Sequence, residues 1–295
     1  MVSTRTPDAE FDVTEELVQS LLAEQFPALS RLDIKPLTSG WDNTMFRLGE
    51  DLIVRLPRRQ LGADLILNEQ RWLPVLAPRL PLPVPAPIHV GSASDQYPWS
   101  WSIAPWAPGQ PGDTQDLRTD QAVPLGTFLS ALHQPAPDDA PTSAFRGMPL
   151  AERSDIIEDR LARVAAATDL VTPAVKTAYQ AALDAPMATE KTWVHGDLHP
   201  RNIVVEDGRL SSIIDWGDMN GGDGATDLAA FWMLFDDAAD RAAGLEASEA
   251  DSAMIDRGRG WAVFFGSILA DIGLNGDERF LAVGARTLRN LSYSV

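Results

Sequence analysis

The chain has 295 residues, 45% of them hydrophobic and 22% charged, with no cysteine and a formal net charge of −18. That length suffices for one large domain or two lobes with a buried core, and the lack of cysteine excludes a disulfide framework or a thiolate metal site. The acidic balance argues against nucleic acid, whose phosphates call for concentrated Lys and Arg, and no apolar run reaches the roughly 18–20 residues that span a bilayer.

The opening "MVSTRTPDAEFDV" lacks the apolar core of a secretion signal. With the missing cysteines, it sets the expectation of a cytoplasmic protein with no membrane partner. "DVTEELVQSLLAEQF" (12–26) places apolar residues at helical spacing behind Thr14, a plausible N-cap. "LDIKPLT" and "TMFRLGEDLIVRL" read as strands, the second folding back on itself at Gly49-Glu50-Asp51. "GADLILNEQRWLPVLA" (62–77) reads as a helix that stops at Pro78, with Leu65, Trp72 and Leu73 on its apolar face. "PLPVPAPIHVG" (81–91) is too rich in proline for a helix and is expected to be extended. "YPWSWSIAPWAPGQPGD" (97–113) is a strand running into a Pro/Gly-rich link, where a lobe boundary is expected. The lobes are therefore residues 1–107 and 108–295.

Beyond the link the pattern turns helical, over 119–134, 150–168 and 172–186. Two short strands follow, "NIVVEDG" and "RLSSIID", with Asp207-Gly208 as a hairpin turn. The stretch from Ala225 is mostly helical. The order is thus a small strand-rich lobe, a link, and a larger helical lobe carrying one hairpin. Charge is uneven: residues 1–107 hold 13 acids and 9 bases, residues 108–295 hold 29 and 15. The plain reading is a solvated acidic surface; the sharper one is an acidic cleft that draws a cationic substrate.

The stretch "WVHGDLHPRNIVV" (193–205) admits two chemistries. His195, Asp197 and His199 alternate like metal ligands, which would make a metal-dependent hydrolase. But a zinc site usually needs three or four protein ligands, and the remaining histidines, His89 and His133, have no convincing partner in the sequence. In the other chemistry, Asp197 accepts the proton of an attacking hydroxyl, while Asn202 and Asp215 of "IIDWGD" offer oxygen to Mg²⁺ on nucleotide phosphates. The short Asp207-Gly208 turn brings Asn202 and Asp215 to the same end of the hairpin. This second pattern is far more specific than a lone His-x-Asp. His195 is then expected to hold the loop by a hydrogen bond, and His199 to face solvent or bond locally.

"VHGDLHPRNIVV" with "IIDWGDMNGGDGATDLA" resembles the aminoglycoside phosphotransferase family, relatives of the protein kinases that phosphorylate small molecules. Its pattern is HGDxxxxN, a hydrophobic strand ending in IDxxD/G, then Gly-Asp-Pro-x-x-Asp-Leu; Gly224 here replaces the proline. The resemblance implies an α/β, two-lobed kinase-like fold and transfer of the γ-phosphate of ATP or GTP to a hydroxyl, with Mg²⁺. It implies a phosphate-positioning cation on a strand of the first lobe, here Arg55 in "DLIVRLPRR" where lysine is commonest, with Glu69 of the next helix as its partner. Lys35 is the other candidate, whereas Arg58 and Arg59 read as surface cations. "TSGWDN" (38–43) stands where a phosphate-covering loop belongs, with Gly40 a candidate anion nest. In the link, the Pro105 carbonyl and the Ala107 N–H would grip the purine edge, Ala104 would border the pocket, and Trp106 would be a packing residue or lid. Asp227 would bond the catalytic-loop backbone and help seat His195. Asp236, Asp237, Asp240, Glu246, Glu249 and Asp251 lie where the family places its acceptor. The partners implied are a nucleotide and a small hydroxyl-bearing acceptor: an aminoglycoside first, a macrolide or a metabolic sugar or amino-alcohol otherwise. A nucleotide-binding module without catalysis is the further alternative, disfavoured by intact Asp197, Asn202 and Asp215.

Overall fold

The computed structural model describes residues 8–37 and 40–292. The chain divides into two compact units. The first runs to Pro78 and takes in Val84–Ala107; the second takes in Arg79–Pro83 and the chain from Pro108 onward.

The first unit contains α1 (Glu15–Gln25), β1 (Ile34–Pro36), β2 (Asn43–Leu48), β3 (Leu52–Pro57), α2 (Gln60–Leu76), β4 (His89–Gly91) and β5 (Trp101–Pro105). Its five strands form one antiparallel sheet in the order β1-β2-β3-β5-β4. Thr14 caps α1, its Oγ1 accepting the Leu17 N–H at 3.3 Å. Val18, Leu21 and Leu22 of α1 pack with Phe46, Leu48, Val54, Leu56, Trp101 and Ile103 in one apolar core. Side chains alternate across a strand. Val54 and Leu56 therefore enter that core, and Arg55 points to the opposite face, where α2 meets it.

The buried face of α2 is Gly62, Ala63, Ile66, Glu69, Leu73 and Leu76, at helical spacing. Of the apolar face expected from sequence, Leu73 is buried, but Leu65 and Trp72 are only half-buried. The helix is rotated so that a carboxylate, Glu69, sits in the buried stripe. Only an ion pair makes that tolerable.

The second unit begins with β6 (Gln110–Pro111), α3 (Ala122–Leu132), α4 (Ser154–Ala167), α5 (Pro173–Asp184) and β7 (Thr192–Val194). Then come β8 (Ile203–Glu206), β9 (Arg209–Ile213), β10 (Asn220–Gly222), α6 (Ala225–Leu228), α7 (Ala230–Leu234), α8 (Ala238–Ala247), α9 (Ser252–Leu274) and α10 (Glu278–Ser292). The long α9, buried along Gly260–Ser267, is the axis against which α4, α5, α6 and α10 pack. Two small sheets carry the loops of interest: β6-β8-β9, and the pair β7-β10.

The β8–β9 hairpin turns at Asp207 (φ 51) and Gly208 (φ 76), both left-handed as a two-residue type I′ turn requires. A bulge follows: Val204 opposes Ser212 but Val205 opposes Leu210, so Ser211 is the extra residue. Its hydroxyl donates to the Pro108 carbonyl at 2.8 Å. The pair β7-β10 was not expected from sequence. "NGG" reads as a turn, yet Asn220, Gly221 and Gly222 pair with Val194, Trp193 and Thr192.

Candidate active site

The loop joining β7 to β8, residues 195–202, carries Asp197, and its shape is set from behind by a buried carboxylate. Asp227, at the start of α6, accepts the His195 N–H at 2.8 Å and the Gly196 N–H at 2.9 Å. His133 Nε2 lies 3.2 Å from the same carboxylate, a partner 94 positions away in sequence that the local pattern could not supply. Gly196 has φ +87, and a Cβ there would lie 2.7 Å from the Asp218 carbonyl, so only glycine fits this turn. His195 Nδ1 accepts the Asp197 N–H at 3.3 Å, which makes Nε2 the protonated nitrogen donating to the Ile214 carbonyl at 3.0 Å. Both nitrogens of His195 are thereby committed to backbone, and its ring packs edge-on to Trp216 at 4.7 Å.

Asp197 is half-buried, with three neighbours around its side chain. Arg146 Nη2 is 3.3 Å from Oδ1, His199 Nε2 is 3.4 Å from Oδ2, and Asn202 Nδ2 donates to Oδ2 at 3.3 Å and to the Asp197 carbonyl at 2.9 Å. Burial alone would raise the Asp197 carboxyl. His199, hydrogen-bonded to the carboxylate, and then the charge of Arg146 outweigh it and hold the group well below the usual carboxylate range. Asp197 is an ionised acceptor with its lone pairs directed by neighbours. Arg146 was not anticipated from sequence: it lies in "AFRGMPL", a segment without helical or strand periodicity.

The Ile214 N–H bonds the Asn202 carbonyl at 2.9 Å, continuing the β8–β9 ladder by one step. Asp215 follows at once, exposed, with φ +60, a left-handed conformation that Asp tolerates better than most residues. The hairpin thus brings Asn202 and Asp215 to one end. With its amide nitrogen on Asp197, Asn202 presents its Oδ1 as an acceptor. An amide oxygen and a carboxylate are the donor types Mg²⁺ takes alongside phosphate oxygens. The alternating His-Asp-His does not form a zinc set. His195 is committed as described, His199 Nδ1 accepts the Arg201 N–H at 3.2 Å, and among the described residues no group of three or more His, Cys, Asp or Glu could hold a metal.

A second anchor ties the loop to the start of α10. Arg201 Nε donates to the buried carboxylate of Asp113 at 2.9 Å and Nη2 to Asp277 at 2.9 Å, and its guanidinium covers Phe280 at 3.5 Å. Arg279 also bonds Asp113, at 2.5 Å.

In the first unit, Arg55 meets Glu69 in a two-pronged pair: Nη2 to Oε1 at 3.0 Å, and Nη1 to Oε2. The side chains are 7% and 1% exposed, so the pair sits in protein rather than water. Lys35, the rival cation, is exposed and pairs with Asp33 at 2.9 Å. Arg59 is not a free surface charge; it pairs with Asp42 in a half-buried contact. The Trp106 N–H donates to the Asp51 carbonyl at 2.7 Å. Leu52 and Pro105 are therefore a non-bonded ladder pair, and the Pro105 carbonyl faces away from β3. Beyond it come Trp106, under the Arg47 guanidinium at 3.9 Å, and Ala107. Ala104 is buried in β5.

The expectation for Gly40 needs correcting. Its N–H donates to the Asn43 carbonyl at 2.9 Å and closes the turn, so it is not a free anion donor. Thr38 and Ser39 of the same loop lie outside the described residues. The acids named as acceptor candidates also resolve largely into structure. Asp237 and Asp251 cap α8 and α9, Asp236 pairs with Arg286 at 2.7 Å, and Glu249 accepts the Ser130 hydroxyl at 2.9 Å.

Comparison with solved structures gives the same fold at low identity. Wild-type aminoglycoside 2'-phosphotransferase-IIIa in its GDP complex is 19% identical with TM-score 0.63, covering 95% of this chain and 99% of that one. Macrolide 2'-phosphotransferase MphH from Brachybacterium faecium is 23% identical with TM-score 0.58, covering 92% and 96%. The streptomycin–ATP–APH(2")-IIa ternary complex is 18% identical with TM-score 0.55, covering 94% and 99%. No protein of curated function matches significantly. Among the described residues no helix is long and apolar enough to cross a membrane. The profile of the phosphotransferase enzyme family (APH) matches residues 33–261, most of the chain, and with the kinase-like fold and the Asp197 loop behind it this chain belongs to that family and is a small-molecule phosphotransferase.

Proposed function

We propose that the enzyme moves the γ-phosphoryl group of ATP or GTP to a hydroxyl of a small molecule, with Asp197 as the group that orients the hydroxyl and takes its proton. The acceptor oxygen forms a bond to the γ-phosphorus. The bond from phosphorus to the β–γ bridging oxygen breaks, the nucleoside diphosphate leaves, and the acceptor proton passes to Asp197. The observation that carries this reading is the loop itself: an ionised Asp197 held by the Asn202 amide, with Asn202 at the hairpin end that bears Asp215.

Asn202 and Asp215 are the residues that would hold Mg²⁺, which when bound would neutralise charge on the transferring phosphates. Arg55, fixed by Glu69, positions the nucleotide phosphates; its two-pronged grip on Glu69 keeps the guanidinium in one rotamer. The Pro105 carbonyl and the Ala107 N–H receive the purine edge. His195, Asp227 and His133 act on the shape of the loop and touch no substrate. Most of the rate gain comes from positioning and charge stabilisation. The structural relatives solved with kanamycin, gentamicin or streptomycin, and the macrolide enzymes among them, make antibiotic-like acceptors a natural first panel.

The test is nucleotide turnover with and without Mg²⁺ across hydroxyl-bearing acceptors, for the wild type and Asp197→Asn. Loss of the proton acceptor should lower kcat by about 10²–10⁴ while nucleotide still raises the melting temperature. Unchanged turnover in Asp197→Asn would sink the assignment.

A further inference from the structure

A chain with 18 more formal negative than positive charges would be expected to surround its catalytic carboxylate with acid. It does the opposite. Arg146 pairs with Asp197 at 3.3 Å, and its guanidinium also lies 5.3 Å from the Phe264 ring and 5.1 Å from Phe265. Arg153 lies 5.5 Å from the same Phe264 ring and 5.5 Å from Phe145. Two cations therefore share one aromatic ring of α9. Arg160 and Arg163 continue the series along α4, which starts just after Arg153, and Arg160 feels the charges of Arg163, Arg153 and Arg146.

Of these four arginines, Arg163 is answered by Asp159 and by Asp271 at 2.7 Å, and Arg146 by Asp197 alone. Among the described residues Arg153 and Arg160 have no carboxylate within ion-pair distance. The Nε of Arg146, the Nε of Arg153 and Nη1 of Arg160 are buried with no hydrogen-bond partner. Burial, and then the charge of Arg146, lower the Arg153 guanidinium. Burial lowers Arg160 most, Asp271 partly offsets it, and Arg163, Arg153 and Arg146 add to the lowering. Leaving buried guanidinium donors without acceptors is costly to folding, and gathering like charges adds repulsion. The cluster is stable only as part of a fold that accepts that cost, and an anion would relieve both terms.

We propose that the acceptor is a hydroxyl compound carrying an anionic group, a carboxylate or phosphate ester, held by Arg146, Arg153 and Arg160 beside Asp197. This rests on the phosphotransferase reading and narrows its substrate. The acceptor anion draws Arg146 from Asp197, leaving Oδ1 to take the hydroxyl proton during the transfer described above. The same guanidinium then anchors the acceptor instead of competing with it. Phe145, exposed beside Arg153, offers a face to the acceptor's carbon frame. A polycationic aminoglycoside would meet repulsion at this surface.

The experiment uses the full chain with Mg²⁺ and ATP or GTP, and a series on one hexose frame: glucosamine, glucose, glucuronate and glucose 6-phosphate, with kanamycin and erythromycin beside them. The anionic hexoses should exceed glucose in kcat/KM by about tenfold or more, and glucosamine should be poorest. Arg153→Gln and Arg160→Gln should each raise the KM for the anionic acceptor about tenfold with little change in kcat, and Arg160→Lys should recover part of the loss. Isothermal titration of glucose 6-phosphate against glucose reads the same selectivity without turnover, and circular dichroism shows that the variants fold. Preference for glucosamine or kanamycin, with KM unmoved by the two glutamine variants, overturns the anionic acceptor. So does equal binding of glucose and glucose 6-phosphate by the wild type. In either case a loss of turnover in Asp197→Asn would leave the kinase reading standing.

Discussion

Asp197 is ionised because of what surrounds it, and the balance can be tipped by one neighbour. Burial pushes its carboxyl up; His199 is the largest of the opposing influences, followed by Arg146. The carboxylate is therefore held ionised below the range in which an ordinary carboxyl protonates. A carboxyl whose folded value is depressed contributes stability that is present above its unfolded value of about 3.9 and is lost as pH falls through the folded value. His199→Ala should therefore shift the acid limb of the kcat/KM profile to higher pH, and should bring acid unfolding, followed by circular dichroism, to higher pH as well. An unshifted acid limb would mean His199 does not govern this carboxylate. Asp197, Asn202 and Asp215 were legible in sequence because a hairpin of known turn type converts their spacing into adjacency. His199 was legible only as a residue with a local bond. Arg146, 51 positions upstream, was not legible: no periodicity or turn signal in its segment encodes where it ends.

At the scale of elements, the first unit's contribution depends on two phases agreeing. The alternation along β3 turns Arg55 to the α2 face, and the rotation of α2 brings Glu69 into the buried stripe. The strand phase could be read from "LIVRLP". The helix phase could not be read fully, because Leu65 and Trp72 out-compete a carboxylate on any apolar scale and only the ion pair explains the rotation. Removing one member leaves the other charge buried. Arg55→Met should cost about 3–5 kcal/mol in urea unfolding, and the double variant Arg55→Met/Glu69→Leu should recover most of it. A double variant no more stable than the single one would show that the pair is not the source of the loss. Arg55→Lys keeps the charge but loses the fork, so it should unfold at intermediate urea and weaken nucleotide binding. The β7-β10 pair was missed for a related reason. Its glycines carry no strand signal, and the ladder exists because the segments on either side, the Asp197 loop and the Asp227 helix, are already held together.

For the whole molecule, composition allowed either a solvated acidic surface or a cation-attracting cleft, and the structure shows what a count of charges leaves out. Many of the second unit's acids are already engaged: Asp237 and Asp251 as helix caps, Asp223 with Arg257, Asp271 with Arg163, Asp113 and Asp277 with Arg201. Counting charges along a sequence cannot distinguish an engaged carboxylate from a free one. The arginines near Asp197 sharpen the point, being a local exception of the opposite sign. What does survive at long range is the net charge of −18, since an ion pair cancels nothing in the total. A nucleoside triphosphate approaching from solvent is itself an anion and meets repulsion, which on the proposed reading Arg55 offsets only at close range. The range of that repulsion shrinks with salt, from about 30 Å at 0.01 M to about 8 Å at 0.15 M. Thus kcat/KM for the nucleotide, measured at fixed Mg²⁺ and saturating acceptor, should rise as potassium chloride is increased over this interval, the reverse of attractive steering. A fall over the same interval would show that the local arginine field, not the net charge, governs the encounter.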